Sequence, residues 1–357
     1  MTIKMTILPP VSRKQEGETR RLQVTGGSTY IVSLPKKWVT KNQLRKGSSL
    51  LICEEEGGSL SVSSQSGLTR EETRDEALIK VSQNDNPHTI VRKIVSAYLV
   101  GYNMIHINVQ NHQQMNSRQR NIAKDFARRL LVGTEIVTDT PTELTLQVLL
   151  SYPELSIQSA LRRMCIITSS MHKDAMTALK DLDSQLAKSV VTTDDEVDRF
   201  NLYVVRQLKT AIQNPRIIRE IGLKNARDCL GYRLVTKSVE RTADHAASIA
   251  ENVLLLKKPV NEEILKNLEE MSTLAISMFE TAIESLFRMD FNLAENVIQK
   301  TKDVNFTMKE ALLSSKRIGI EEIANVRLVI ESLRRTAEYA SDIAEIVLNL
   351  TVESIIG

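Results

Sequence analysis

Aromatic residues make up only 4% of this 357-residue chain, with a single tryptophan, Trp38. A core built without rings leans on aliphatic side chains, which suits packed helices. Cysteine is equally sparse: Cys53, Cys165 and Cys229 are scattered, odd in number and never in a CxxC pair. That excludes a disulfide framework and a thiolate zinc site, and it fits a reducing cytoplasm, the expected location. No apolar run approaches the roughly 18 residues that span a bilayer, and the start lacks the basic-then-apolar order of a secretion signal. There is no glycine-rich phosphate loop and no nucleophile motif. His88, His106 and His112 lack ligand spacing, so the chain does not read as an enzyme.

Charge is present but unevenly placed. The net charge is +3. Residues 1–50 hold ten Lys or Arg against Glu16 and Glu18, so the remainder of the chain is mildly acidic. A basic head on an acidic body points to a polyanionic partner for the head.

The clearest internal signal is a repeat. Arg233–Leu256, RLVTKSVERTADHAASIAENVLLL, returns as Arg327–Leu350, RLVIESLRRTAEYASDIAEIVLNL, with 14 of 24 positions identical and no gap. Repetition of this kind sets the architecture. Val235, Val239, Thr242, Ala246, Ile249 and Val253 fall three or four apart, one apolar helical stripe, and the alanines around it let a second helix come close. From Tyr152-Pro153 onward the pattern is helical throughout, and it restarts after Lys257-Lys258-Pro259. The spacing predicts a long helix over 155–182, a second opening at Asp194 behind a Thr192-Thr193 cap, a break at Asn214-Pro215, and the first repeat copy. A further long helix, Glu262 to Phe287, another from Phe291 to Ser314, and the second copy follow. This gives two tandem three-helix bundles, 152–258 and 259–357, each long enough for its own core.

Ahead of them the readings are a mobile basic arm (1–18), a β-rich unit (19–66) and a small α/β domain of order βαβαββ (67–151). In the β-rich unit RRLQVT and Ser28–Leu34 read as strands about Gly26-Gly27, and Pro35 opens a helix. SLLICEE and SLSVS then form a hairpin about Glu56-Gly57-Gly58. So few residues cannot hold a stable core alone, so the unit is expected to pair with a second copy, making the protein a homodimer. In the α/β domain Asn86-Pro87 opens one helix, closed by Gly101, and Ser117 caps the next, closed by Gly133.

The run from Arg20 to Val62, with GGSTYIVSLPKKWV and then LRKGSSLLI, resembles the AbrB/SpoVT/MazE swapped-hairpin family. That resemblance implies half of a small β-barrel completed by a second chain, with Arg20, Arg21, Lys36, Lys37 and Lys41 as DNA contacts. Long basic side chains without interleaved aromatics imply phosphate contact and shape reading. Toxin-binding members of the same family leave pure dimerisation as the alternative.

The tandem helical region, with DDEVDRF ahead of VERTADHAASIAENV, resembles the PhoU family of cytoplasmic phosphate-transport regulators. The combination of head, middle and body is similar to archaeal phosphate-uptake regulators. The resemblance implies a metal site in the first bundle, on Asp195, Asp198, Glu240 and Asp244, holding iron, zinc, manganese or magnesium; a carboxylate cluster balanced by Lys237 and Arg233 is the other reading. In the second bundle Glu240 corresponds to Arg334, Asp244 to Glu338 and Asp195 to Lys302. Arg334 is expected to pair with Glu338, and no metal is expected there. Taken together, the chain reads as multidomain and mainly α. Its expected role is a phosphate-responsive transcriptional regulator whose body meets a transporter or signalling protein. The alternative is an adaptor docked on a phosphate transporter or kinase. A metal-dependent phosphohydrolase is disfavoured, since His245, its only candidate histidine, points away from Asp244.

Overall fold

A computed structural model describes residues 18–54, 58–64, 76–110, 113–149, 155–212, 215–301 and 320–356. The basic arm up to residue 17, Glu56-Gly57, His112, Tyr152-Pro153, Asn214 and Lys302 with the helix expected to reach Ser314 lie outside the described residues; of the polar stretch Ser63–Gly67, which reads as a linker in the sequence, Ser63 and Ser64 belong to a strand and the rest lies outside them too. The chain divides into two compact units, 1–73 and 74–357.

The described residues of the first unit form two antiparallel hairpins and one short helix. β1 (Gln23–Thr25) pairs with β2 (Thr29–Ile31), and Gly26 and Gly27 turn the chain with φ of 61° and 87°. Both values lie where a side chain is disfavoured, which is why glycine stands there. Pro35 is the cap of α1 (Lys36–Lys41) rather than its first residue. β3 (Leu50–Glu54) pairs with β4 (Leu60–Ser64). The two hairpins are separate sheets, so no barrel closes within one chain. Among the described residues of this unit no apolar side chain is buried; Leu22, Val24, Tyr30, Ile52 and Leu60 are each at least 60% exposed.

The second unit begins with the α/β layer. β5 (Glu76–Val81), α2 (Pro87–Val100), β6 (Met104–Val109), α3 (Ser117–Leu130), β7 (Thr134–Asp139) and β8 (Glu143–Val148) follow in that order. The sheet runs β5-β6-β8-β7; β5 and β6 are parallel and the other pairs antiparallel. Asn86 caps α2 and Gly101 ends it in the left-handed region, as the sequence indicates. Asn116, not Ser117, caps α3: its side chain accepts from the Gln119 backbone, and the Gln119 side chain accepts from the Asn116 backbone. This reciprocal box satisfies two amides at once, where a serine hydroxyl satisfies one. α3 also stops at Leu130, before Gly133.

The helical layer comprises α4 (Ile157–Asp181), α5 (Ser184–Ala211), α6 (Pro215–Glu220), α7 (Asp228–Leu255), α8 (Glu262–Arg288), α9 (291–301 as described) and α10 (Ile320–Thr351). α5 starts ten residues earlier than its sequence pattern suggests. Asp183 caps it by accepting from the Gln185 and Leu186 amides. Thr192 and Thr193 lie inside it and turn their hydroxyls back to the Ser189 carbonyl, so they interrupt nothing. The duplication extends beyond the repeat helix: α4 and α8 both end in a left-handed non-glycine residue, Leu182 and Met289, followed by a capping aspartate, Asp183 and Asp290.

One core cluster runs without interruption from Ile157 to Val347, so the two bundles share a core where separate ones were expected. α7 and α10 pack closely at Gly231, whose missing Cβ would lie 3.1 Å from a Leu350 methyl and 3.2 Å from one of Ile346. The α/β layer is tied to the bundle by Arg206 of α5. Its guanidinium donates to the carbonyls of Tyr98, Gly101 and Tyr102 and to Asn103 Oδ1, and it lies over the Tyr98 ring. These carbonyls lie at and just beyond the C-terminal end of α2, which carries partial negative charge. Arg206→Met removes this shared donor from all four acceptors at once. This variant is expected to lose about 2–4 kcal/mol in urea unfolding, and Arg206→Lys to retain only part of the wild-type stability, because an ammonium has no planar fork.

Candidate functional site

Two regions carry candidate chemistry. In the first unit Arg20, Arg21, Lys36, Lys37 and Lys41 are all exposed. Arg20 pairs with Glu18. Lys36, Lys37 and Lys41 lie on α1, where no buried residue competes for their charge.

In the second unit the acidic residues sit where α5 and α7 face each other. On α5, Asp194, Asp198 and Asn201 are spaced by four and three residues and so share a stripe. On α7, Glu240 and Asp244 form a matching pair one turn apart. The helices run in opposite directions: the strongest charged neighbour of Asp194 is Asp244, and that of Asp198 is Glu240. Burial and this mutual repulsion raise Asp194 to about 7 and Asp198 to about 6. Asp244 is raised to about 6 by burial and Glu240, against the pull of Lys237 and Arg241. Asp194 Oδ1 and Asn201 Oδ1 are both buried with no hydrogen-bond partner. Glu240 is 8% exposed, and Lys237 Nζ donates to both its carboxylate oxygens.

Of the four acids singled out in the sequence, the structure therefore brings Asp198, Glu240 and Asp244 together. Asp195 is turned about 100° away along α5 and pairs with Arg129 of α3 at 2.9 Å. Asp194 takes its place. The signal was present: Asp194 and Asp198 repeat the four-residue spacing of Glu240 and Asp244, whereas Asp195 and Asp198 do not. The cations acting on these aspartates are Lys237 and Arg241 rather than Arg233.

The donor set is all oxygen, partly buried and short of counter-charge, which is the chemistry a hard divalent cation requires. The arrangement is not a closed cage. Among the described residues no group of three or more His, Cys, Asp or Glu side chains is gathered tightly enough to hold an ion. The residue types fit a cation, although Glu240 is engaged by Lys237.

The corresponding place in the second bundle is neutralised internally. Arg334 pairs with Glu331 and Glu338, as expected for Glu338, and Arg335 pairs with the same two acids at 3.1 and 3.0 Å. Thr301 stands where Asp194 stands and its hydroxyl lies 3.4 Å from Ser341 Oγ. His245 faces α10, with Nδ1 at 3.3 Å from Ser332 Oγ and its ring near Tyr339.

With this geometry in view, similarity to known proteins is informative. Residues 161–253 and 268–347 match the PhoU domain, the first spanning α4 to α7 and the second α8 to α10. The helical body is a tandem pair of PhoU domains. Residues 23–66 match the family described as antidote-toxin recognition MazE, bacterial antitoxin. The PhoU region is similar to the phosphate-specific transport system accessory protein PhoU homolog 1 of Thermotoga maritima, 25% identical over 203 residues, which covers 54% of this chain and 84% of that protein. The corresponding PhoU homolog of Pseudomonas aeruginosa is 23% identical over 201 residues, 54% of this chain and 81% of that protein. The crystal structure of PhoU from Pseudomonas aeruginosa superposes with a TM-score of 0.50 at 24% identity, covering 55% of this chain and 96% of that one. Among the described residues no helix is long and apolar enough to cross a membrane.

Asp194, Asp198 and Asp244 bind more protons folded than unfolded between pH 4 and 7, so their contribution to stability falls as pH rises through that window. His245, lowered mainly by burial, works in the opposite sense below about pH 6.5. The comparison that isolates the aspartates is therefore wild type against Asp194→Asn, both freed of metal. The melting temperature of Asp194→Asn is expected to overtake that of wild type progressively from pH 5 to pH 7.5, read by calorimetry.

Proposed function

We propose that this protein regulates phosphate transport by binding DNA as a dimer through residues 18–64, with the PhoU domains receiving the signal. One observation carries the reading: the described residues of the head bury no apolar side chain, leave Leu22, Val24, Tyr30, Ile52 and Leu60 largely uncovered, and expose Arg20, Arg21, Lys36, Lys37 and Lys41 beside them. Such a unit requires a partner surface for the first and a polyanion for the second. A second copy of the same segment supplies the apolar partner and doubles the cations. The PhoU relatives, named as accessory proteins of a phosphate-specific transport system, supply the physiological setting.

The first PhoU domain takes a divalent cation at Asp194, Asp198 and Asp244, with Glu240 joining once Lys237 releases it. The ion would supply the counter-charge that these carboxylates lack. Metal analysis of protein purified without chelator is expected to find iron, zinc, manganese or magnesium, and Asp194→Asn with Asp198→Asn to abolish it; a metal-free wild type overturns this part.

The match to an antitoxin family favours one competing reading, in which the head only dimerises and the body docks on a transporter or kinase. Charge reversal at Lys36 and Lys37 separates the two. Under the DNA reading, duplex binding falls at least tenfold and the double variant remains a dimer in sedimentation. Each lost phosphate contact also lowers the slope of log affinity against log salt by about 0.9. Wild-type protein that fails to bind duplex DNA, or binds it independently of salt, overturns the DNA reading.

A further inference from the structure

The body as a whole is mildly acidic, yet α3 is the reverse. Five of its fourteen residues are Arg or Lys and one, Asp125, is acidic. Ala123 and Ala127 sit in the α/β core and Leu130 is also buried, so the charges are confined to the outer arc. Three of the five cations are committed. Arg120 and Lys124 pair with Asp139, and Arg129 pairs with Asp195. Arg118 and Arg128 are exposed, and among the described residues neither side chain forms a hydrogen bond or ion pair. They stand ten residues apart on the helix, about 15 Å along its axis.

Helix stability does not account for Arg118. It lies in the first turn, which contains no acid, and the helix dipole disfavours a cation there. An exposed arginine that costs the helix and has no partner among the described residues is suited to an external anion. Two such forks at either end of one polar arc match a partner with repeated charges, and a guanidinium binds phosphate oxygens in pairs. A lipid surface is disfavoured because α3 has no free apolar face to insert.

We propose that the outer arc of α3 is a second contact for double-stranded DNA, with Arg118 and Arg128 binding backbone phosphates independently of sequence. This rests on the reading of the head as the primary DNA contact. Two modest contacts in one chain reinforce each other through effective concentration, and a body that helps to hold DNA gives the regulatory domains a direct bearing on occupancy.

The test uses full-length protein and a random-sequence duplex, with fluorescence anisotropy over a salt series. Arg118→Glu with Arg128→Glu is expected to reduce the slope of log affinity against log salt by about 2 and the affinity on the order of 50-fold at about 0.1 M salt. Arg118→Gln with Arg128→Gln gives a smaller loss of the same sign, and both variants keep the wild-type melting temperature. Wild-type slope and affinity in the α3 variants, while Lys36→Glu with Lys37→Glu loses binding, overturn the α3 contact and leave the head reading intact. Loss of binding to anionic phospholipid vesicles with duplex binding unchanged also overturns it, in favour of a membrane. A wild type that ignores duplex DNA overturns both.

Discussion

The second unit depends on α5 satisfying three neighbours at once. Near its C-terminal end a buried guanidinium completes the carbonyl end of α2. At its middle, adjacent aspartates serve opposite partners: Asp195 reaches Arg129 on α3, and Asp194 faces Asp244 on α7. Between these polar contacts Val197, Tyr203 and Val204 sit in the bundle core. A helix held on three sides in this way has a fixed rotation, and that rotation decides which carboxylates meet. The charge shortage of the first PhoU domain follows from packing demands made elsewhere along the same helix.

The two PhoU copies show how one scaffold tolerates two electrostatic solutions. In the first, carboxylates repel each other and are partly neutralised by Lys237. In the second, Arg334 and Arg335 interleave with Glu331 and Glu338 along α10, each cation touching both acids. Exposed ladders of this kind contribute little stability individually, but they leave no excess charge for an ion to satisfy. The capping geometry at Leu182-Asp183 and Met289-Asp290 recurs in both copies, while the charged faces of α7 and α10 diverge.

Local signals were legible in the sequence. Asn86-Pro87 and the Gly26-Gly27 turn are set by residues within reach of their own backbone, and each forms as expected. The helical repeat was equally readable, because its apolar stripe is a property of one helix. What escaped needed a partner distant in sequence or a competing bond. Thr192-Thr193 has the composition of a cap, but the hydroxyls bond backward while Asp183 does the capping. Arg206 meets α2 a hundred residues away, so no spacing announces it. Asp195 stood out for its place in a familiar acidic run; only the rotation of α5 shows that its neighbour faces α7. The shortage of core in the head was visible as a shortage of length, and the structure expresses it as uncovered leucine, valine and tyrosine.

The unbroken core that joins the two PhoU domains has a mechanical meaning. Helices that share one set of buried side chains cannot loosen singly, because freeing either one uncovers the other's apolar face. Gly231 tightens this further by letting α7 and α10 approach where any larger residue would crowd Ile346 and Leu350. A disturbance at one end of the body is thus passed on as displacement of a stiff block, and compliance must be sought outside it.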